Sequence, residues 1–257
     1  MTAKSGLTLR FLGTGDAGGI PLFGCDCEIC SNTFKGNGRR RPCSALLTCE
    51  GHSILIDAGR TDLVDLFHEH PFQRILLTHY HVDHVQGLFH LRWGNKNLCM
   101  PVHGPHDEQG CADLLKHSGI LDFSDCLEPF VSRSFDKLKV IPVPLNHSRL
   151  TLGYCFKYKQ TRLAYLTDTI GLPAETERFL CRWKPTVLVL DSTHAPGSAS
   201  VRNHNDLHMA LHIHARIMPE TIWLTHISHE LETYWLTGGL QLPENVHIAT
   251  DGTEFCL

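Results

Sequence analysis

The feature that most constrains this chain is a six-residue segment, His79-Tyr80-His81-Val82-Asp83-His84, which follows a short apolar, strand-like run at residues 74–77. His79 and His81 are two residues apart on a tight turn and can face one metal ion. Asp83 and His84 open the next helix and can face a second ion. Imidazole and carboxylate groups suit zinc, manganese and iron(II). A histidine-rich surface turn is the alternative, but four ligand-type side chains at these spacings favour a two-metal site.

Six residues cannot complete two metal sites, and three other positions offer the missing ligands. His147, Asp168 and His226 each stand just beyond an apolar run, in the same relation to a strand end as the first segment. Any one of them taken alone is better explained as a capping or core polar residue. As a set, they predict the remaining ligands of the paired site.

A second group of metal-binding side chains differs in its chemistry. Cys25, Cys27 and Cys30 place three thiols close together, and zinc held by three cysteines and one histidine is a common closed structural site. The best candidate for the fourth ligand is His229, three residues after His226, whereas a run of free thiols is the alternative. Because the chain has eleven cysteines, an odd number, they cannot all pair within one chain. The isolated cysteines are interpreted as core residues.

Apolar, β-branched runs alternate with helical patterns along the chain, without an internal repeat or a low-complexity linker. Strands are predicted at residues 7–12, 45–49, 53–56, 74–77, 100–103, 138–143, 153–158, 162–166, 187–190, 221–224 and 246–249. Helices are predicted at residues 61–68, 82–91, 107–116, 173–183 and 205–217. Periodicity alone supports only the α/β class, and the length is compatible with one domain over residues 1–257.

Charge and hydropathy exclude several kinds of partner. The formal net charge of −4 provides no bulk basic field, so no nucleic-acid partner is expected. No apolar run approaches the roughly 20 residues that span a bilayer, so no membrane association is expected. The first residues lack the apolar segment of a secretory signal, and a cytoplasmic protein is therefore expected.

The order of these candidate ligands, His-x-His-x-Asp-His followed by His, Asp and His, resembles the metallo-β-lactamase superfamily. That resemblance implies an αββα sandwich, in which two packed mixed sheets are flanked by helices. It implies one metal site formed by His79, His81 and His147. It implies a second site formed by Asp83, His84 and His226, with Asp168 bridging the two ions.

Within the superfamily, the chain is similar to the phosphoribosyl cyclic phosphodiesterase family of the carbon–phosphorus lyase pathway. The matching motifs lie at residues 24–30, 76–88, 91–94, 144–148, 202–204 and 224–229. The resemblance implies a catalytic pair of divalent ions, with manganese preferred, whereas ligand chemistry alone also permits zinc or iron(II). It also implies a structural zinc whose fourth ligand is His229. A possible homodimer is expected from the same resemblance.

The activity implied by this resemblance is hydrolysis of 5-phosphoribosyl 1,2-cyclic phosphate to ribose 1,5-bisphosphate in phosphonate catabolism. The two ions would supply the hydroxide nucleophile, with Asp168 as a catalytic bridging residue. His204 is the candidate general acid or phosphate contact, because it lies in a matching motif beside Asn203 and Asp206. A helix-capping or surface histidine is the alternative role for His204.

Several further activities are compatible with these motifs. The glycine-rich loop at residues 13–21 begins with Gly13-Thr14-Gly15, which is similar to the start of ribonuclease Z-like endonucleases, and it would serve either as an anion-binding loop or as a plain tight turn. Such an endonuclease normally needs a long tRNA-clamping arm and a basic face. A general cyclic-nucleotide phosphodiesterase and a thioester hydrolase are also compatible, although no glutathione-binding signal is evident. A zinc-stabilised binding protein is disfavoured by the complete set of candidate ligands.

Overall fold

A computed structural model describes residues 6–36, 38–199, 201–239 and 241–257. In chain order the strands are β1 (Leu7–Gly13), β2 (Ser44–Cys49), β3 (His52–Ile56), β4 (Arg74–Leu76), β5 (Met100–His103), β6 (Leu121–Asp122), β7 (Arg133–Phe135), β8 (Leu138–Leu145), β9 (Thr151–Tyr158), β10 (Thr161–Leu166), β11 (Val187–Asp191), β12 (Thr221–Thr225), β13 (Val246–Ile248) and β14 (Glu254–Cys256). They form two seven-stranded sheets, of order β14-β1-β2-β3-β4-β5-β6 and β13-β12-β11-β10-β9-β8-β7.

Helices cover the outer face of each sheet. They are α1 (Glu28–Phe34), α2 (Leu63–Leu66), α3 (Val82–Val85), α4 (Leu88–Leu91), α5 (Ala112–Lys116), α6 (Ala174–Trp183), α7 (Leu207–Ile217) and α8 (His229–Tyr234), and α8 continues into a π-helical turn at Trp235–Gly239. One apolar cluster, which includes Phe11, Tyr154 and Tyr165, fills the space between the sheets. Separate clusters lie under α2–α5 and under α6–α7. The predicted αββα sandwich is confirmed.

Strand direction brings the candidate ligands to one edge of the sandwich. Strands β3, β4 and β5 are parallel in the first sheet, and β10 to β13 are parallel in the second. Carboxyl ends of parallel strands meet at the same edge of a sheet, where ligands are commonly bound. His79 follows β4, Asp168 follows β10 and His226 follows β12.

Some predicted helices are shorter than expected. The helix predicted at residues 82–91 is broken into α3 and α4 at Gly87, whose N–H donates to the carbonyl of Ala58. A β-carbon on Gly87 would lie 2.1 Å from the carbonyl oxygen of Arg60, so only glycine fits this close approach. The helix predicted at residues 107–116 begins only at α5, because the Asp107 carboxylate accepts from the next backbone N–H groups and forms a turn instead.

The helix predicted at residues 61–68 is reduced to the single turn of α2. Asp62 precedes it, but its carboxylate binds the Arg60 guanidinium and leaves the helix without a side-chain cap. Among the described residues, no helix combines the length and apolar character that crossing a bilayer requires.

A buried ion pair fixes α8 to the rest of the sandwich. Arg40 is 2% exposed and Glu232, on α8, is 5% exposed. The Arg40 Nε donates to Glu232 Oε2 at 2.9 Å, and its Nη1 donates to Thr14 Oγ1 at 2.9 Å and to the carbonyl of Ala249. Removing one partner of such a pair leaves an uncompensated buried charge.

We therefore expect Arg40→Met to lower the free energy of unfolding by about 3–5 kcal/mol, measured by denaturant titration. The neighbouring Arg39 is exposed, so Arg39→Met is the matched control and should change stability by no more than about 0.5 kcal/mol. Equal stability of the two variants would contradict a structural role for the Arg40–Glu232 pair.

Candidate metal centre

Three imidazole nitrogens converge in the first predicted site. His79 Nε2 lies 2.9 Å from His81 Nδ1, and His147 Nε2 lies 3.0 Å from the same His81 atom. Two nitrogen ligands of one tetrahedral zinc ion lie about 3.3 Å apart, since each metal–nitrogen bond is about 2.0–2.1 Å. The arrangement of these three donor atoms therefore fits a single divalent ion.

The second predicted site combines a carboxylate with two imidazoles. Asp83 Oδ2 lies 3.5 Å from His84 Nε2 and 3.8 Å from His226 Nε2. Both nitrogens are buried and lack a hydrogen-bond partner among the described residues. A buried polar atom without a partner is costly, so these two atoms fit a bound cation.

The Asp168 carboxylate lies between the two sets of donors. Its Oδ2 is 3.2 Å from His84 Nε2, outside hydrogen-bond geometry, and its Oδ1 is 3.4 Å from His226 Nε2. The same Oδ1 lies 3.9 Å from His79 Nε2 and 3.8 Å from His147 Nε2. Asp168 thus faces both sets of donor atoms, and its role as a bridge between two ions stays a prediction.

Burial and charge act in opposite directions on these groups. Burial raises the pKa of the Asp168 carboxyl, but His226 and His84 outweigh it and hold that pKa well below its usual range. Burial lowers the pKa of His84, but the carboxylates of Asp168 and Asp57 raise it well above its ordinary value. Asp168 is consequently an anion, which is the form that binds a cation.

In four of the five proposed ligand imidazoles, the ring nitrogen on the far side from the centre is held by a second group, which orients the ring. These contacts are His79 Nδ1 with Thr78 Oγ1 at 3.0 Å, His84 Nδ1 with Asp57 Oδ2 at 2.8 Å, His147 Nδ1 with the Asn203 carbonyl at 3.0 Å, and His226 Nδ1 with Thr193 Oγ1 at 2.8 Å. A metal-binding histidine usually engages its other ring nitrogen in this way. All four rings therefore present Nε2 to the centre.

The backbone is strained at several residues of the centre. Asp57, Asp168 and His226 have φ angles of 55°, 60° and 62°, in the left-handed region that non-glycine residues seldom adopt. Asp57 and His226 directly follow strands β3 and β12, and Asp168 is the second residue after β10, so each strained residue lies where a strand ends beside the centre. Such conformations persist only where surrounding contacts fix them, and they concentrate at functional sites.

His204 lies over the centre and is itself held by a buried carboxylate. Its Nδ1 is 2.7 Å from Asp191 Oδ2, and its ring stacks on His226 with centroids 4.6 Å apart. The ring centroid of His147 lies 5.0 Å away on another side. The His204 side chain is 19% exposed, so it is accessible to a substrate placed at the centre.

The cysteine cluster forms a separate candidate site. Cys27 Sγ and Cys25 Sγ lie 3.2 Å and 3.9 Å from His229 Nε2, and all four donor atoms, including Cys30 Sγ, fall within 4.8 Å of one another. Sulfur and nitrogen ligands of one tetrahedral zinc lie about 3.6 Å apart. Hydrogen bonds from the Cys30 N–H and, to a smaller extent, from His229 lower the pKa of the Cys27 thiol to about 6. A lowered pKa favours the thiolate, which is the form that binds zinc.

The glycine-rich loop after β1 is a turn rather than an anion cradle. The Asp16 carboxylate accepts from the N–H groups of Gly18 and Gly19, at 3.1 Å and 3.0 Å. These donors are therefore occupied by the protein's own carboxylate. Of the two roles open for this loop, the structure supports the tight turn.

Three supporting residues were not singled out from the sequence. Asp57 orients His84, Asp191 orients His204, and Thr193 binds both Asp191 Oδ1 and His226. A signal exists for the two carboxylates, since Asp57 follows β3 and Asp191 ends β11, as the predicted ligands follow other strands. The contact of Thr193 depends on the pairing of distant strands and has no comparable signal.

Asp57→Asn tests the orienting role of this carboxylate. Asparagine keeps one oxygen but presents an amide N–H₂ group where Asp57 Oδ2 accepts from His84 Nδ1. We expect His84 to place its proton on Nε2 instead, which blocks that nitrogen as a ligand. Affinity for the ion at the Asp83–His84 site should fall about 10- to 100-fold, measured by metal titration. Asp65→Asn, on the exposed face of α2, is the control, and equal affinities would refute the role.

Comparison with known proteins agrees with this geometry. The family model described as a beta-lactamase superfamily domain matches residues 52–227. The chain is 27% identical to an octanoyltransferase of Porphyromonas gingivalis over 95% of its own length, but it spans only 50% of that relative. Among solved structures, a diphosphatase of the PhnP family has a TM-score of 0.79 at 27% identity, with 98% of each chain covered.

Human tRNase Z, short form, has a TM-score of 0.70 at 19% identity, covering 96% of this chain and 98% of that one, which shows a shared fold alone. The matched family, the two packed sheets and the convergence of the candidate ligands point to one assignment. The chain belongs to the beta-lactamase superfamily and has the metallo-β-lactamase sandwich.

Proposed function

We propose that the protein hydrolyses small cyclic phosphodiesters, with 5-phosphoribosyl 1,2-cyclic phosphate as substrate and ribose 1,5-bisphosphate as product, in phosphonate catabolism. The observation that carries the proposal is the His204–Asp191 pair placed over the paired metal site. A phosphodiester needs a proton donor for its leaving oxygen as well as charge neutralisation at phosphorus. The likeness to a diphosphatase over 98% of both chains further supports phosphoryl chemistry.

The proposed ligands are those of the two sites described above, with Asp168 shared, and Cys25, Cys27, Cys30 and His229 would hold a structural zinc. When bound, a pair of divalent ions, manganese in this proposal, lowers the pKa of water and neutralises charge on the phosphoryl oxygens. These metal identities stay predictions, as do the individual ligand roles.

His204 has a defined task in this reaction. Asp191 Oδ2 accepts a hydrogen bond from the Nδ1–H of His204 and fixes the ring, so that Nε2 points away from Asp191 and can serve the substrate. As water adds to phosphorus, the bond to the 2-oxygen of the ribose breaks. Protonated His204 would deliver its Nε2 proton to that oxygen, which leaves as a neutral hydroxyl.

A substrate panel on the metal-loaded protein tests the proposal. We expect turnover of the cyclic ribose phosphate to exceed that of a pre-tRNA, a cyclic nucleotide and a diphosphate ester, measured by phosphorus NMR and gel assay. Preferred cleavage of pre-tRNA would favour the ribonuclease Z-like alternative. Preference for the cyclic nucleotide would indicate a general phosphodiesterase.

A second candidate function is hydrolysis of an acyl thioester. The match to an octanoyltransferase over 95% of this chain favours it, although the chain corresponds to only half of that relative. An octanoyl thioester therefore belongs in the same panel. Faster turnover of this thioester than of every phosphate ester would replace the first proposal with the second.

The remaining expectations accompany this proposal. They are a single domain over residues 1–257, a cytoplasmic location, a possible homodimer and a small-molecule substrate rather than a nucleic acid or a membrane. The oligomeric state is measurable by light scattering on the purified chain.

A further inference from the structure

The first turn of α8 connects the cysteine cluster to the paired metal site. His226 and His229, one proposed ligand from each centre, are three residues apart, at the end of β12 and the start of α8. Ser228 caps α8 by accepting from the Leu231 N–H at 3.2 Å. This short connection leaves little freedom for one histidine to move without the other.

Hydrogen bonds fix the connection on both sides. Ile227 is fully buried and donates its N–H to the Thr14 carbonyl, while its own carbonyl accepts from Asp16. Ser228 donates its N–H to the carbonyl of Thr193, the residue whose hydroxyl orients His226. Residues 227 and 228 therefore fix the backbone next to His226, and they also fix the position of Thr193, whose hydroxyl contacts the His226 ring.

Glu230, the second residue of α8, contacts the loop that precedes His204. Glu230 Oε2 accepts from Ser198 Oγ at 3.1 Å and lies 3.7 Å from His194 Nδ1. The ring centroid of His194 is 6.3 Å from that of His204. Residues 228–230, at the start of α8, thus contact the cysteine cluster, the backbone of Thr193 and the loop before His204.

The other histidine set is linked to α8 less directly, through the loop whose Asn203 carbonyl lies 3.0 Å from His147 Nδ1. His79 and His81 follow β4 in the first sheet, and His147 follows β8 on the far side of the second sheet. Their nitrogens contact one another at 2.9–3.0 Å. A disturbance at α8 should therefore act first on the Asp83–His84–His226 site, whereas the three mutual contacts of the His79–His81–His147 set should keep one ion bound.

We infer that the cysteine cluster is a positioning element for one ion of the catalytic pair, holding α8 so that His226 completes the Asp83–His84–His226 site. This inference rests on the metal sites of the proposed function but not on its substrate. Loss of the cysteine-bound ion would release the first turn of α8. The His226 site would then lose affinity, whereas the three-histidine site would retain its ion.

Cys27→Ser in the full chain tests the inference, because Cys27 contacts His229 directly. Cobalt(II) titration is the readout, with thiolate-to-cobalt absorption reporting the cysteine cluster and metal analysis giving ions per chain. We expect wild type to hold three ions and Cys27→Ser to hold one tightly, with affinity for the second ion of the pair lowered about 10- to 100-fold. Cys181→Ser, at an exposed thiol on α6, is the matched control and should hold three.

Two tightly bound ions in Cys27→Ser would overturn the inference, because the pair would then be independent of the cysteine cluster. His229→Gln is the second variant should Cys27→Ser not fold, and folding is checked by circular dichroism. The same selective loss is expected there. Failure of the phosphodiester assay with three ions in wild type and one in the variants would refute only the proposed function.

Discussion

Asp168→Ala should lower kcat/KM for phosphodiester hydrolysis at least about a thousandfold, which corresponds to about 4 kcal/mol of transition-state stabilisation. The carboxylate oxygens of Asp168 lie 3.2–3.9 Å from nitrogens of His79, His84, His147 and His226. Without this anion, Asp83 is the one carboxylate among the six remaining proposed ligands. Two closely spaced divalent ions would then repel each other with little compensation.

The measurement combines steady-state kinetics at saturating metal with metal analysis of the purified variant. Metal content of the pair should fall together with the rate, because Asp168 faces both sites. Asp122→Ala is the control, since Asp122 is an exposed aspartate at the end of β6. Asp168→Ala with a full pair of ions and a rate within tenfold of wild type would exclude a bridging role.

Much of the fold follows from local sequence pattern. The strand predicted at residues 100–103 coincides with β5, and other predicted strands differ from the observed ones by a few residues at their ends. Apolar β-branched runs favour a strand both by their local conformational preference and by the burial that a packed sheet provides. Strands β6, β7 and β14 were not predicted, since each has only two or three residues and depends on pairing with a longer neighbour.

The helices were less predictable because packing overrides their periodicity. Residues 82–91 have a helical pattern, yet the close approach of Gly87 to the Arg60 carbonyl divides them into α3 and α4. That division depends on a contact between segments distant in sequence. Helix α8 was not predicted either, although Ser228 followed by acidic residues is a recognisable helix start.

The sequence indicated which candidate ligands would come together but not the groups that support them. Zinc ligands are mostly histidine, cysteine or a carboxylate, so residue type and strand-end position are enough to propose candidates from the sequence. The groups that orient them need only one suitably placed oxygen, as Thr193 and the Asn203 carbonyl show. Many residues satisfy that requirement, and only the three-dimensional arrangement selects among them.

Replacing His204 should affect the rate in a way that depends on the leaving group. For a cyclic ribose phosphate, whose leaving alkoxide needs a proton, His204→Ala should lower kcat about 10²- to 10⁴-fold. For bis(p-nitrophenyl) phosphate, whose leaving group departs as a stable anion, the loss should be less than about tenfold. Both ions of the pair should remain, because His204 is not among the proposed ligands.

Asp191→Asn should reproduce part of the same selective loss, because Asp191 Oδ2 accepts from His204 Nδ1 at 2.7 Å and fixes the ring. His208→Ala, at an exposed position on α7, is the matched histidine control and should leave both rates unchanged. An equal loss for both leaving groups, accompanied by loss of metal, would show that His204 supports the metal site instead of donating a proton. If His204→Ala lowers kcat only for the cyclic ribose phosphate and both metal ions remain bound, His204 donates a proton and does not support the metal site. Hydrolysis of bis(p-nitrophenyl) phosphate needs the metal pair but no proton on its leaving group, so it tests the metal pair separately.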